Sequence, residues 1–202
     1  MNIWFATNNT HKKEELEAIL NKKLKIPAEE GFSFNPEETG DTFFDNALIK
    51  ARALQKILGK KDYVIADDSG LCVDALDGRP GVLSARYGME SNTKHSAEKV
   101  KNLTSAEQNL LLLDELGDNI FRTARFICSM VLLLDNDRFI AVQETIEGDI
   151  TEKSGMNGDG GFGYDPIFFV KELGRTLAEI SSDEKNKISH RAKAGKIIAA
   201  YI

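Results

Sequence analysis

The sequence predicts an α/β protein in which a mixed β-sheet carries helices on its faces. Three observations predict it. A short apolar strand at the start is followed by helical periodicity before the next strands, the alternating order of parallel α/β units. Two long β-rich runs, Ala124–Leu134 and Phe139–Ile150, are separated by the turn residues "DNDR" and pair as a hairpin. The chain closes on another helical segment, so strands arise both in alternation with helices and as a hairpin, which makes the sheet mixed.

Taken in order, Asn2–Thr7 is the first strand. The helix after it puts Leu16, Ile19 and Leu20 on one face, with Thr10 as its N-cap if the loop before it is a plain polar one. Asp41 reads as the N-cap of a second helix, whose apolar stripe is Phe44, Ala47, Leu48, Ala51, Leu54 and Leu58, with Gly59 as its stop. Tyr63–Ala66 and Leu71–Asp74 read as two strands around an Asp67-Asp68 turn, and "DGRPG" (Asp77–Gly81) as a further turn. Asn92–Leu116 reads as one or two helices ended by Gly117. Ser154–Asp165 is a glycine-rich loop. Ser189–Ile202 is the final helix, with Ala194, Ile197, Ile198 and Tyr201 inward.

The chain has 202 residues, enough for one domain or one two-lobed unit with a sizeable core. Its net charge is -6, which argues against a general nucleic-acid or membrane-surface binder. Cys72 and Cys128 lie apart in apolar runs and read as inert core thiols, not a disulfide framework or a zinc site. No leader pattern or membrane-length apolar run is present, so the expected location is the cytoplasm, where the Asn-x-Thr triplets at Asn8 and Asn102 carry no glycan.

Four stretches carry chemistry. In "VIADDSGLCVD", Asp67 and Asp68 are adjacent, so on an extended chain they point opposite ways. One can face a ligand, where a carboxylate holds Mg²⁺ or takes a proton from water. An ordinary Asx turn is the competing reading. "TNNTHK" (Thr7–Lys12) joins a strand to a helix N-terminus, where backbone N–H groups attract anions, although a plain polar loop has the same look. It lacks the glycines of a Walker loop. In "GDGGFGYDP", Gly158, Gly160 and Gly163 match G-x-G-x-x-G. The following Tyr-Asp-Pro does not open a helix, and Asp165 before proline is expected to be extended, so a dinucleotide fingerprint is rejected. The glycines would let backbone approach a flat ligand, with Phe162 to stack on it, or form a surface loop over a buried Phe. The basic stretch Glu184–Lys196 brings Lys185, His190 and Arg191 toward a helix start, or forms a solvated face. Together these are the parts of a nucleoside triphosphate site.

The segments "FATNNTHK", "ETGDTFFDNALIKA", "ADDSGLCVDALDGRPGVLSARY", "GGFGYDPIF" and "ISHRAKA" occur in this order. They resemble the inosine/xanthosine triphosphate pyrophosphatases, house-cleaning enzymes that hydrolyse deaminated purine nucleotides, from residue 3 to about residue 198. The resemblance implies a single two-lobed α/β domain over residues 1–202, with a long mixed sheet, flanking helices and an active-site cleft between the lobes. It implies a homodimer that needs Mg²⁺ and releases pyrophosphate from ITP, dITP or XTP, leaving the monophosphate. Thr7, Asn9 and Lys12 match the triphosphate loop, with Asn8, Thr10 and His11 lining it. Asp68 matches the proton acceptor and metal ligand, Glu38 a second metal position, and Ser69 a substrate contact. Phe162, Gly163, Tyr164 and Asp165 match the base-binding stretch, and Lys185, His190 and Arg191 the remaining nucleotide contacts. Many relatives carry Gly where this chain has Asn8; Asn tolerates a left-handed backbone, so the loop is expected to be kept. Arg191 can only donate hydrogen bonds, which suits the six-position oxygen of hypoxanthine and xanthine. Two rival readings are a Maf-like pyrophosphatase for other nucleotides, which "SHR" argues against, and a regulatory nucleotide binder, which has no need of Asp68.

Overall fold

The computed structural model describes residues 2–58, 62–89, 103–135, 138–158 and 160–202. It contains a six-stranded sheet in the order β1-β2-β3-β4-β5-β6, formed by Ile3–Phe5, Tyr63–Val73, Thr123–Leu133, Phe139–Ile150, Phe168–Val170 and Arg175–Thr176. The helices are α1 (Thr10–Leu20), α2 (Phe43–Leu58), α3 (Ser105–Leu116), α4 (Ser182–Ile188) and α5 (His190–Ile198). The sheet is mixed. β1 runs parallel to β2, with Phe5 opposite Ile65, while β4–β5 and β5–β6 are antiparallel. The amide of Leu134 bonds the carbonyl of Arg138, and that of Ile150 bonds the carbonyl of Arg122, so the β3–β4 hairpin is tied at both ends. Among the described residues, no helix is long and apolar enough to cross a membrane.

The chain forms two compact units: residues 1–69, 127–146 and 186–202, and residues 70–126 and 147–185. In the first, period-two alternation sorts the strands onto two cores. Phe5, Ile65, Cys128, Met130 and Leu132 pack with Leu16 and Leu20 of α1 and Ala194 and Ile198 of α5. Trp4, Ala6, Val64, Ala66, Val131 and Leu133 pack with Ala47, Ala51 and Leu54 of α2. Each fully buried aliphatic side chain of this kind stabilises the fold by about 1.5–3 kcal/mol. In the second unit, α3 buries Leu112, Leu113 and Leu116, and β5 buries Phe168 and Val170.

Several local expectations are corrected. Asn9, not Thr10, caps α1, accepting from the Lys12 amide at 3.2 Å. Thr42, not Asp41, serves the start of α2; its hydroxyl accepts from the Asp45 amide at 3.1 Å. The Asp67-Asp68 turn does not exist: β2 is one continuous strand of 11 residues. Both carboxylates find partners across the strand faces, so neither needs the local backbone bonds of an Asx turn. The final helix is found where expected, α5 with Ser189 capping it through the Ala192 amide, but it ends at Ile198 in a 3-10 turn, Ala199–Tyr201, and the separate helix α4 precedes it. The buried stripe of α5 runs Arg191, Ala194, Gly195 and Ile198, which turns Ile197 and Tyr201 outward, 41% and 50% exposed. Asp165 opens a single 3-10 turn and is not extended, and the glycine run before it opens no α-helix. Cys128 is buried as expected, but Cys72 is half-buried. Gly59, Asn92–Asn102 and the turn residues Asn136 and Asp137 lie outside the described residues.

Candidate active site

The two aspartates sit in mid-strand with 1% and 7% exposure. Alternation sends Asp67 to the side of Ile65 and Asp68 to the side of Ala66. Asp67 thus meets α1 and α5. Lys12 Nζ lies 3.1 Å from its Oδ1, and Arg191 Nε and Nη2 lie 3.1 and 3.0 Å from its Oδ2. The Ser69 hydroxyl donates to Asp67 at 3.3 Å and accepts from Arg191 Nη2 at 2.9 Å. Glu15 of α1 pairs with Arg191 Nη1. Burial alone would raise the Asp67 pKa, but the Lys12 and Arg191 charges outweigh it and hold the group well below the usual carboxylate range. The neighbouring Cys128 thiol is pushed up to about 12 by burial and by Asp67, so it stays protonated.

Asp68 faces α2. Lys50 Nζ lies 2.7 Å from Asp68 Oδ1 and 3.2 Å from Glu38 Oε1, and Asn46 Nδ2 lies 3.5 Å from Asp68 Oδ2. Burial raises the Asp68 pKa, and the Lys50 charge only partly opposes it. The Lys50 pKa is raised: burial favours loss of its proton, but Asp68, Asp67 and Glu38 together outweigh that. Gly40, in "ETG", donates its amide to Asn46 Oδ1 at 2.8 Å, where an added Cβ would stand 2.6 Å from Asp45 Cβ. Only a glycine lets the Glu38 segment approach α2 this closely.

In the second unit, Lys185 Nζ bonds Asp165 Oδ2 at 2.7 Å, and both side chains are almost fully buried. The same oxygen accepts the Phe162 amide at 2.7 Å, and Lys185 Nζ lies 4.6 Å from the centre of the Phe162 ring. Gly161 has φ +70°, and an added Cβ would stand 2.1 Å from Asp165 Oδ2. The glycine requirement at Gly161 is therefore set by the loop's own carboxylate.

The Ham1 family model matches residues 3–201. The chain belongs to the Ham1 family. It is 50% identical over 203 residues to the dITP/XTP pyrophosphatase of Treponema denticola, covering 100% of this chain and 98% of that protein. It is 45% identical to the dITP/XTP pyrophosphatase of Bacillus subtilis, covering 98% and 94%. Among solved structures, the Staphylococcus aureus Ham1 protein matches with TM-score 0.83 and 36% identity, covering 100% of this chain and 97% of that one. A HAM1 protein from Coxiella burnetii matches with TM-score 0.84 and 36% identity, covering 100% and 98%.

In this Ham1-family chain, the first unit holds Thr7, Asn8, Asn9, Thr10, His11, Lys12, Glu38, Asp68, Ser69, His190 and Arg191, and the second holds Phe162, Gly163, Tyr164, Asp165 and Lys185. Thr7 Oγ1 accepts the Asn9 amide at 3.1 Å, and Asn8 donates to the Phe34 carbonyl at 2.5 Å, so the loop is braced from within. Thr10 and His11 are exposed. His190 is buried at the start of α5. Arg191 is 2% exposed and bonds Asp67, Ser69 and Glu15, so these protein acceptors take up the guanidinium that was expected to read a base. Sequence reasoning missed Lys50, Asn46 and Glu15. A signal for two of them existed: Asn46 and Lys50 are polar residues four apart, next to Ala47 and Ala51 on the inward stripe of α2.

Asp68 and Glu38 converge on one ammonium, so a positive charge stands where two hard oxygen donors meet. That donor chemistry fits a hard divalent cation. Among the described residues, no cluster of three or more His, Cys, Asp and Glu could hold a metal. A cation that keeps waters and takes substrate phosphates as further ligands needs only one or two carboxylates.

Proposed function

We propose that this chain is a Mg²⁺-dependent nucleoside triphosphate pyrophosphatase acting on ITP, dITP and XTP. It attacks the α-phosphorus with water, releasing pyrophosphate and leaving the nucleoside monophosphate. The observation that carries the reading is the Asp67-Asp68 pair in mid-strand, with one carboxylate locked by two cations and its neighbour raised in pKa beside Glu38 and Lys50. Family membership and the names of the relatives at 50% and 45% identity support the same reading.

Asp68 accepts the proton of the attacking water, for which a raised pKa suits it. Asp68 and Glu38 would hold the Mg²⁺, which when bound neutralises phosphate charge. Thr7, Asn9 and Lys12 bind the triphosphate with Asn8, Thr10 and His11 lining the loop, and the N-terminus of α1 adds backbone donors. Ser69 contacts the substrate next to Asp68. Phe162, Gly163, Tyr164 and Asp165 receive the base, with His190 completing the nucleotide contacts. Lys185, held by Asp165 at 2.7 Å beside Phe162, joins these nucleotide contacts. Arg191 serves by fixing Asp67 and Ser69. The working protein is a cytoplasmic homodimer.

The test is pyrophosphate release from ITP, dITP, XTP, GTP, ATP and dTTP, with Mg²⁺ and with a chelator. Strong ITP and XTP hydrolysis that stops on chelation is expected. Preferential dTTP hydrolysis would replace this reading with the Maf-like one, and binding without turnover would make the chain a regulatory module. Light scattering checks the dimer.

A further inference from the structure

We propose that Asn109 of α3 is a positioning residue that fixes the Phe162–Asp165 loop and thereby sets how tightly the base is held; this rests on the base-binding reading of that loop. Asn109 is 2% exposed and lies on the buried face of α3. Its Nδ2 donates to the Gly163 carbonyl at 3.1 Å. Its Oδ1 is buried and accepts no hydrogen bond among the described residues. The amide cannot be turned over, because the Gly163 carbonyl can only accept. A buried amide that leaves its acceptor idle destabilises the fold relative to an apolar side chain. The position therefore holds its polar group for the donor side, the bond to Gly163.

That bond has a specific consequence. Gly163 has φ +65°, with no heavy atom within 4 Å of where a Cβ would stand, so local packing does not dictate its backbone. The loop is instead held from three sides. Asn109 takes the Gly163 carbonyl, the Tyr164 hydroxyl donates to the Ser84 carbonyl at 2.9 Å, and Lys185 holds the Asp165 carboxylate, which in turn takes the Phe162 amide. Without Asn109, the peptide after Gly163 loses its only bond to α3 among the described residues, and ordering the loop must then be done by the substrate. The adjacent residue supplies a control. Gln108 is also buried, but its Nε2 donates to the Tyr87 and Ala85 carbonyls at 3.2 and 3.4 Å and bonds no residue of the loop.

The experiment compares wild type, Asn109→Asp, Asn109→Ala and Gln108→Ala. Asn109→Asp keeps the shape but turns an acceptor toward the Gly163 carbonyl. KM for ITP should rise about tenfold in both Asn109 variants with kcat little changed, the signature of lost uniform binding. Gln108→Ala should keep the wild-type KM even where its melting temperature falls as far. Hydrogen exchange across residues 161–165 should quicken in the Asn109 variants and not in Gln108→Ala, a readout that needs no turnover. Wild-type KM and unchanged exchange in Asn109→Ala would overturn the inference alone. A wild-type protein that binds no purine triphosphate would overturn the base-binding reading and this inference with it.

Discussion

Two faces of one strand carry adjacent carboxylates in opposite electrostatic states. On the α1/α5 face, Asp67 is met by the cations Lys12 and Arg191 and by the Ser69 hydroxyl, and its pKa is lowered. On the α2 face, Asp68 shares the single ammonium of Lys50 with Glu38, and its pKa is raised. Burial is similar on both sides, so burial does not distinguish them. The ratio of cations to carboxylates does. A carboxylate with its charge fully compensated is a fixed part of the scaffold, and one that competes for a shared cation is poised to exchange that partner for a metal or a proton.

The sharpest way to break this contrast is Asp68→Asn. It nearly preserves shape while removing charge and proton affinity. Turnover should fall by roughly 10²–10⁴ with the melting temperature near wild type. Near-normal turnover in the folded variant would remove Asp68 from the chemistry.

Asp67→Asn should show the reverse emphasis. It leaves the buried Arg191 and the half-buried Lys12 with their shared partner neutralised, close to the situation that costs about 3–5 kcal/mol when one member of a buried pair is lost. Denaturant unfolding should report a loss of that size. A stability equal to that of Asp68→Asn would mean that the two faces are not different in kind.

Glu15→Gln sharpens the same face. It removes one charged partner of Arg191 while Asp67 and Ser69 keep the guanidinium, so a smaller loss, roughly 1.5–3 kcal/mol, is expected. Glu15→Asp should recover part of it. A loss as large as that of Asp67→Asn would make Glu15 the principal anchor of Arg191.

The smallest effect lies away from the strand. Burial, together with the bond its hydroxyl donates to Glu115 at 2.6 Å, raises the Tyr87 pKa. A folded pKa above the unfolded one gives stability that is complete below the unfolded value of about 10 and is lost as pH rises beyond it. The wild type should therefore lose stability above about pH 10, and Tyr87→Phe should lose less over that range. Identical alkaline slopes would mean that Tyr87 contributes nothing to the loss.

Much of the site was legible because it rests on local rules. Adjacent residues on an extended chain point apart, and the structure obeys this at Asp67 and Asp68 even though the expected turn is absent. "TNNTHK" does join a strand to a helix N-terminus, although Asn9 takes the cap. The glycine run does fail to open an α-helix. The misread turn at Asp67-Asp68 has a physical source. An Asp-Asp-Ser-Gly segment has the residues of a turn, and nothing in the local sequence names the distant partners of its carboxylates. It is a strand because cations from three helices meet its two faces, Lys12 and Arg191 on one and Lys50 on the other.

The sequence by itself determined the mixed α/β class, the family to which the motifs belong and the opposite facing of the two aspartates. All of these depend on short-range periodicity and residue order. Only the tertiary structure decided which aspartate is spoken for. Arg191 reaches Asp67 across 124 residues, and Lys50 reaches Asp68 across 18. Such partners are set by which helices pack on which face of the sheet. A buried carboxylate's charge state follows from how far those partners offset its burial, a balance that no local stretch of sequence contains.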